Sequence, residues 1–119
     1  PKWFSQTLAY TMSKFGMSLC VLGMAGELKN QGIAVNALWP KTVIQTAAVQ
    51  NLLGGDEVMQ KARSPEIMGD AAYTILCKDS GTCTGNYFVD EDLLQSEGIN
   101  DFSKYAQVPD NELMPDFFL

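Results

Sequence analysis

Residues 32–40 of the chain read GIAVNALWP, and this stretch decides the predicted fold. Its side chains from Ile33 to Trp39 are mostly apolar on both faces, which is typical of an interior strand in a parallel sheet. Pro40 ends the strand, so its carboxyl end lies at Trp39 and Pro40. Because ligands of open parallel sheets bind at the carboxyl ends of the strands, this end is a candidate binding position.

A helical pattern precedes this strand. Apolar residues recur at spacings of three and four from Phe4 to about Leu28, without a proline, which predicts one long helix. Between Phe15 and Ala25 the helix is apolar nearly all round, so we expect it to be covered on several sides. The segment KNQG at residues 29–32 predicts its end, with glycine in a left-handed cap.

The alternation continues after Pro40. Residues 41–55 predict a loop that carries a short helix ended by two glycines, and residues 87–90 predict a second short strand. The segment SPE at residues 64–66 supplies an N-cap, a first-turn proline and an acid near the positive end of the helix dipole. It predicts a helix from Ile67 to Lys78 whose inner side carries Ile67, Ala71, Ile75 and Leu76.

A short helix near residues 92–97 and a tail from residue 108 complete the predicted order of helix, strand, helix, strand and tail. This order is typical of an α/β fold with a parallel sheet. Two strands cannot form such a sheet, so we expect most of it to come from elsewhere.

Composition excludes several classes of function. The 119 residues carry a net charge of −6, which repels phosphate backbones, so we expect no nucleic-acid binding. The chain has no histidine, which excludes Ser-His-Asp catalysis and histidine metal sites. Its 3 cysteines are too few for a disulfide scaffold and favour an intracellular location. The longest uncharged stretch in the first third, Phe15 to Gly26, is shorter than the ~18 residues of a membrane span, so we predict no span.

Tyr10 and Lys14 form a candidate acid–base pair on the first helix. They are four residues apart, so their side chains share one face of the helix. An ammonium group beside a phenol favours the phenolate and lowers a tyrosine pKa that is ordinarily ~10. An ordinary surface pair has the same spacing, so the spacing alone leaves both interpretations open.

The surrounding sequence resembles the second half of the short-chain dehydrogenase/reductase family. The family signature Y-x-x-S-K matches YTMSK at residues 10–14, and G-I-x-V-N-x-x-x-P matches residues 32–40, with Thr46 following. TG at residues 84–85, leading into YFVD at 87–90, is similar to the last core strand of that family. The resemblance implies that residues 1–107 are the C-terminal half of a Rossmann-like, doubly wound parallel sheet, followed by a tail or linker at 108–119.

The resemblance also implies a function. It indicates an NADP- or NAD-dependent oxidoreductase acting on a carbonyl or secondary alcohol of a lipid-like substrate. Tyr10 would exchange a proton with the substrate oxygen, and Lys14 would hold the nicotinamide ribose. The implied cofactor-binding residues are Tyr10, Lys14, Pro40, Ile44 and Thr46. The residues themselves leave alternatives open, since Pro40 could simply end a strand and Thr46 could cap a helix before Ala47.

Two departures from the family pattern concern the strand ends. Lys41 stands where the family has glycine after the proline, and the proline-to-threonine spacing is one residue longer than usual. Asp90, Glu91 and Asp92 replace the common Asp-Gly-Gly. Carboxylates at a strand end are more often solvated than metal-bound, so we predict no metal site.

The family's glycine-rich phosphate loop and active-site serine have no counterpart in the sequence and would lie before Pro1. We therefore expect the chain to begin within a longer protein and to be inactive alone. The resemblance implies a homo-oligomer through the first helix and a peroxisomal location, although the chain ends FFL rather than SKL. The alternative is a non-catalytic interaction fragment that pairs with a full-length subunit.

Overall fold

The structure is a computed structural model that describes Ser5 and residues 7–118, apart from the side chain of Leu53. Its helices are α1 (Leu8–Leu28), α2 (Gly55–Gln60), α3 (Glu66–Leu76) and α4 (Asp90–Ser96), and its strands are β1 (Ala37–Trp39) and β2 (Tyr87–Val89). Short 3-10 turns lie at Lys29–Gln31, Ser103–Tyr105 and Asp110–Glu112, and a π-helical turn lies at Val49–Leu53. β1 and β2 pair in parallel, which confirms the α/β class as a partial Rossmann-like sheet.

Helix α1 ends where the sequence predicts, while its predicted start at Phe4 lies outside the described residues. Gly32 takes the left-handed conformation with φ of 70°, and its N–H donates to the carbonyl of Lys29. The expectation that α1 is covered on several sides is wrong for the described residues, because only Thr11 and Ala25 of this helix are buried. The large side chains exposed on it are Leu8, Tyr10, Met12, Phe15, Met17, Leu19, Leu22 and Met24.

The segment Leu8–Gln31 is long and apolar enough, by length and composition alone, to cross a membrane. The stretch between Phe15 and Gly26 is shorter only because Lys14 and Glu27 interrupt it, and the helix continues through both. Core helices of soluble proteins meet the same criterion, so this segment is only a weak indication of a membrane span.

The first strand is shorter than predicted, and before Ala37 side chains make several of the bonds to residues 84–86. The N–H of Val35 donates to Oγ1 of Thr84 at 3.0 Å, and the N–H of Asn86 donates to Oδ1 of Asn36 at 3.0 Å. The backbone bond from Ala37 to the carbonyl of Asn86, at 2.8 Å, comes where β1 begins. The stretch before Ala37 is therefore held by polar side chains together with the backbone bond from the N–H of Gly85 to the carbonyl of Val35, at 2.8 Å.

The described chain divides into two compact units. The first contains the residues up to Ala37, together with Lys78–Tyr87 and Phe118, and the second contains Leu38–Cys77 and Phe88–Phe117. The buried apolar cluster lies in the second unit and consists of Ile67, Ala71, Leu93, Leu94, Phe102 and Tyr105. Helices α3 and α4 supply four of its six members.

Helix α3 begins near the predicted cap, where Oγ of Ser64 accepts a hydrogen bond from the N–H of Glu66 at 3.3 Å. Ile67 and Ala71 are fully buried as predicted. The assignment of Leu76 to the inner side is wrong, since its side chain is 83% exposed. Nine residues are two and a half turns of an α-helix, so Leu76 lies on the face opposite Ile67.

Two helix starts differ from the sequence predictions. Helix α2, which the sequence did not predict, begins at the second glycine, Gly55, and Asp56 and Glu57 occupy its first turn, where acids are favoured by the helix dipole. The predicted short helix before the glycines corresponds to the π-helical turn at Val49–Leu53. Helix α4 begins at Asp90 rather than near Asp92. Oδ1 of Asp90, the first residue of this helix, accepts a hydrogen bond from the N–H of Glu91 at 2.7 Å.

Candidate functional site

Tyr10 and Lys14 lie on one face of α1, in the first unit. The Nζ atom of Lys14 is 5.4 Å from the centre of the Tyr10 ring, which is within cation–π range. The Tyr10 side chain is 48% exposed. The predicted juxtaposition of an ammonium group and a phenol is therefore present, with the positive charge lying over the ring.

Aromatic contacts fix the orientation of the Tyr10 ring. Phe118 stacks against it with ring centres 5.8 Å apart and planes 5° from parallel. Phe15 meets Phe118 edge-on, also at 5.8 Å. The sequence predictions did not include Phe118, since its position in the chain gives no sign that it returns to α1.

The residues after β1 form the strand-exit loop, defined as residues 40–46, in the second unit. β1 ends at Trp39, so Pro40 follows the strand as the alternative interpretation requires. Ile44 forms an isolated parallel bridge with Arg63 and packs against the apolar cluster of the second unit. The Ile44 side chain is therefore partly buried and contributes to the packing of the second unit.

Thr46 caps the short helical segment that follows the loop. Its Oγ1 atom accepts a hydrogen bond from the N–H of Val49 at 3.3 Å. This is the helix-cap alternative that the sequence left open. The hydroxyl group still has an O–H donor, so the cap is compatible with a second hydrogen bond from Thr46.

The two departures from the family pattern contact one another. The Nζ atom of Lys41 lies 3.0 Å from a carboxylate oxygen of Glu91 and 3.0 Å from one of Asp92. Its backbone N–H donates to Oδ1 of Asp90 at 2.9 Å. The hydrogen bonds to Glu91 and Asp92 raise the pKa of Lys41. The lysine that replaces glycine therefore supplies the charge that the additional carboxylates neutralise.

The expectation that these carboxylates are solvated is wrong for Asp90 and Glu91. Asp90 is fully buried, and burial raises its pKa even though the N–H groups of Lys41 and Glu91 donate to it. Burial also opposes ionisation of Glu91, but its bonds to Arg63 and Lys41 outweigh that effect and lower its pKa. Across the described part of the chain, no group of three His, Cys, Asp or Glu residues could hold a metal ion.

Arg63 is the residue that sequence analysis missed. Its side chain is 1% exposed, and its guanidinium group donates to Glu91 at 2.5 Å and to Asp110 at 3.1 Å. The guanidinium carbon also lies 5.3 Å from the centre of the Phe102 ring. No local pattern marks this arginine, because its partners are 28 and 47 residues away along the chain.

The structure thus places the predicted site residues in two sets. Tyr10 and Lys14 are together in the first unit, and Pro40, Ile44 and Thr46 are together on the strand-exit loop of the second unit. Each set belongs to the sequence motif from which it was predicted. The predicted catalytic and cofactor-binding roles of both sets stay predictions.

Comparison with solved structures relates this arrangement to known folds. A short-chain dehydrogenase from Mycobacterium thermoresistibile superposes on this chain with a TM-score of 0.84 and 52% sequence identity. The match covers 100% of this chain and 42% of the length of that dehydrogenase. A candidate dehydrogenase from Xanthomonas campestris superposes with a TM-score of 0.90 and 44% sequence identity, and the match covers 100% of this chain and 43% of the length of that protein. Over its whole length the chain is thus similar in sequence and fold to these dehydrogenases, of which it spans less than half.

Curated relatives agree with this similarity to dehydrogenases. The chain is 56% identical over 119 residues to hydroxysteroid dehydrogenase-like protein 2 of Danio rerio, and 52% identical to the protein of that name in Homo sapiens. It spans 28% of the length of each of these relatives. No family model matches the chain. These relatives, which are longer than this chain, support an oxidoreductase family.

Proposed function

We propose that this chain supplies the acid–base residues and part of the nicotinamide site of an NADP- or NAD-dependent oxidoreductase. The observation that carries the proposal is the Lys14 ammonium group over the Tyr10 ring, in a chain similar in sequence and fold to short-chain dehydrogenases. The substrate class is a lipid-like carbonyl or secondary alcohol. It is supported by the family resemblance and by the relatives' name, which refers to hydroxysteroids.

Tyr10 and Lys14 fit the roles that this chemistry requires. The cofactor supplies or accepts the hydride. In the reductive direction the Tyr10 hydroxyl gives its proton to the carbonyl oxygen as the hydride reaches the carbonyl carbon, and in the oxidative direction the phenolate takes that proton back. Lys14 carries three N–H donors on an exposed helix face, so it can bind ribose hydroxyls and stabilise the phenolate by its charge.

The strand-exit loop would border the nicotinamide carboxamide. Pro40 and Ile44 would contribute backbone groups, and Thr46 would contribute its hydroxyl group. The bond that Thr46 accepts from Val49 supports this role, because it orients the side chain and leaves the O–H able to donate.

The test uses a chimera in which these 119 residues replace the matching segment of the Danio rerio relative. We expect turnover with a nicotinamide cofactor, and Tyr10→Phe should lower kcat by about 100-fold or more because it removes the proton donor. Nicotinamide fluorescence should give a cofactor dissociation constant within about twofold of the unsubstituted chimera.

Tyr73→Phe is the matched control, because Tyr73 is 72% exposed on α3, and this variant should keep full turnover. Retained turnover in Tyr10→Phe would remove Tyr10 from the mechanism. A chimera that binds cofactor but never turns over, with any of several sterols or fatty carbonyls, would contradict the proposed reaction.

We also propose a second candidate, an interaction fragment that pairs through α1, because this helix exposes a large apolar surface. Leu19 and Leu22 are 67% and 62% exposed. The same surface is proposed to mediate homo-oligomerisation.

Sedimentation velocity of the chain, alone and mixed with the full-length relative, should detect association. Leu22→Glu should weaken it, while Leu76→Glu, at a site 83% exposed on α3, should not. Equal association in both variants would exclude α1 as the contact.

A further inference from the structure

The strand-exit loop obtains its conformation from two flanking segments. On one side, the N–H of Arg63 donates to the carbonyl of Val43 at 2.9 Å, and the N–H of Gln45 donates to the carbonyl of Arg63 at 2.8 Å. On the other side, the N–H of Val43 donates to the carbonyl of Met114 at 2.9 Å. Single bonds to neighbouring segments, rather than a long strand or helix, therefore hold the loop backbone.

Arg63 holds this arrangement by its side chain as well as by its backbone. Its guanidinium group bonds to Glu91, in the first turn of α4, and to Asp110, in the segment that leads to Met114. A guanidinium fork can bind two carboxylates in fixed directions, which a lysine ammonium group does not do. Arg63 therefore connects three parts of the second unit that all contact the loop.

Asp90 fixes the beginning of the same loop. Its Oδ1 atom accepts the N–H of Lys41 and that of Glu91, so one carboxylate joins the loop to the start of α4. Asp90 is fully buried and Arg63 is 1% exposed, so both charges are removed from water. The Asp90 carboxylate thus binds the loop at Lys41, while the backbone of Arg63 binds it at Val43 and Gln45.

The hydrogen bonds and ion pairs of Arg63 and Asp90 are poorly suited to a role in stability alone. In the described part of the chain, Nε of Arg63 and Oδ2 of Asp90 are buried without a hydrogen-bond partner. Each such group carries an uncompensated desolvation cost, and buried ion pairs often stabilise no better than apolar residues of similar volume. Such costs are expected where buried charged groups hold a backbone in one geometry.

We propose that Arg63 is a positioning residue that, together with Asp90, holds the strand-exit loop in the conformation that presents Ile44 and Thr46 to the nicotinamide. The link to the cofactor rests on the proposed function. Neither charged side chain need touch the cofactor, because both act through the backbone of residues 41–45. The proposal extends the site to residues that no sequence pattern marked.

Amide hydrogen exchange, measured by NMR on the 119-residue chain, tests the positioning without any activity. Arg63→Lys keeps the charge but loses the fork, and Asp110→Asn is a milder variant that removes one carboxylate partner. Both should speed exchange at the amides of Val43 and Gln45, by about tenfold in Arg63→Lys, because hydrogen bonds to charged groups are lost. Glu112→Gln is the matched control, since it removes one acid from the same segment and should leave both amides at the native rate.

Cofactor binding to the chimera is measured by nicotinamide fluorescence, which requires binding but not turnover. Arg63→Lys should raise the cofactor dissociation constant about tenfold, with a smaller change in kcat at saturating cofactor. Native exchange rates in both Arg63→Lys and Asp110→Asn would overturn the proposal, and so would faster exchange beside an unchanged dissociation constant. A chimera that binds cofactor but does not turn over counts against the proposed reaction and leaves the positioning result to the exchange and binding data.

Discussion

Two glycines show how differently a single residue constrains this chain. Gly54 has a φ of 144°, a conformation that other residues rarely adopt, and a Cβ atom there would overlap Cγ2 of Val58. Gly69 lies inside α3, and a Cβ atom there would have no described heavy atom within 4 Å beyond its chain neighbours and the backbone of its own helix. Glycine is required at position 54 because of the positive φ and the adjacent Val58 side chain, while Gly69 only makes the helix more flexible.

Alanine at these positions should therefore change stability in opposite directions. Gly54→Ala should lower the free energy of unfolding by at least about 1 kcal/mol, because of backbone strain and the clash with Val58. Gly69→Ala should raise it by about 0.5–1 kcal/mol, because alanine loses less conformational freedom in a helix. Urea denaturation followed by circular dichroism measures both, and a change of the same sign in the two variants would contradict the assignment.

At the scale of elements, the first turn of α4 is held to the rest of the second unit by charge. Glu91 bonds to both Arg63 and Lys41, and its side chain is only 14% exposed. Its pKa is lowered from the ordinary value of 4.5. The stabilisation from the ionised carboxylate is therefore fully present above about pH 4.5 and is lost as the pH falls through the lower pKa of the folded state.

This predicts a pH-dependent difference between the native chain and Glu91→Gln. Near pH 7 the variant should be less stable by about 2 kcal/mol, because a buried arginine loses its ionised partner. The difference should shrink progressively below pH 4.5, where Glu91 of the native chain becomes protonated. Urea denaturation of both proteins from pH 3 to 7 measures it, with Glu112→Gln as the exposed control. A difference independent of pH would show that the ion pairs do not contribute.

At the scale of the whole molecule, burial is unequally distributed. The second unit contains a cluster of buried apolar side chains that includes Ile67 and Ala71, both fully buried. Helix α1 in the first unit has only two buried residues, Thr11 and Ala25. Since burial of apolar surface is the main source of folding free energy, the two units should differ in local stability.

Amide exchange of the whole chain should show this difference. In dilute solution the amides of Ile67 and Ala71 should exchange at least about tenfold more slowly than those between Phe15 and Leu22. At high chain concentration, or with the full-length relative present, the α1 amides should become protected if that helix binds a partner. Strong protection of α1 in a dilute monomer would contradict the prediction, because Leu19 and Leu22 of this helix are 67% and 62% exposed.

Local patterns determined much of the fold from sequence alone. The spacing of apolar residues and the KNQG stop predicted α1 and its end, and the segment at residues 64–66 predicted the start of α3. The juxtaposition of Tyr10 and Lys14 was predicted in the same way, since a spacing of four on a helix brings two side chains together, while their proposed roles came from the family resemblance. These features depend on neighbours within a turn or two, so the sequence contains all the information that they need.

Only the tertiary structure decided the surroundings of the strand-exit loop. The bond between Asp90 and Lys41 spans 49 residues, and those of Arg63 to Glu91 and Asp110 span 28 and 47. The sequence predicted solvated carboxylates at the end of β2, because exposed acids are the common case. Which distant charges meet depends on how α3, α4 and the C-terminal segment pack, and that packing is a property of the folded chain rather than of any local pattern.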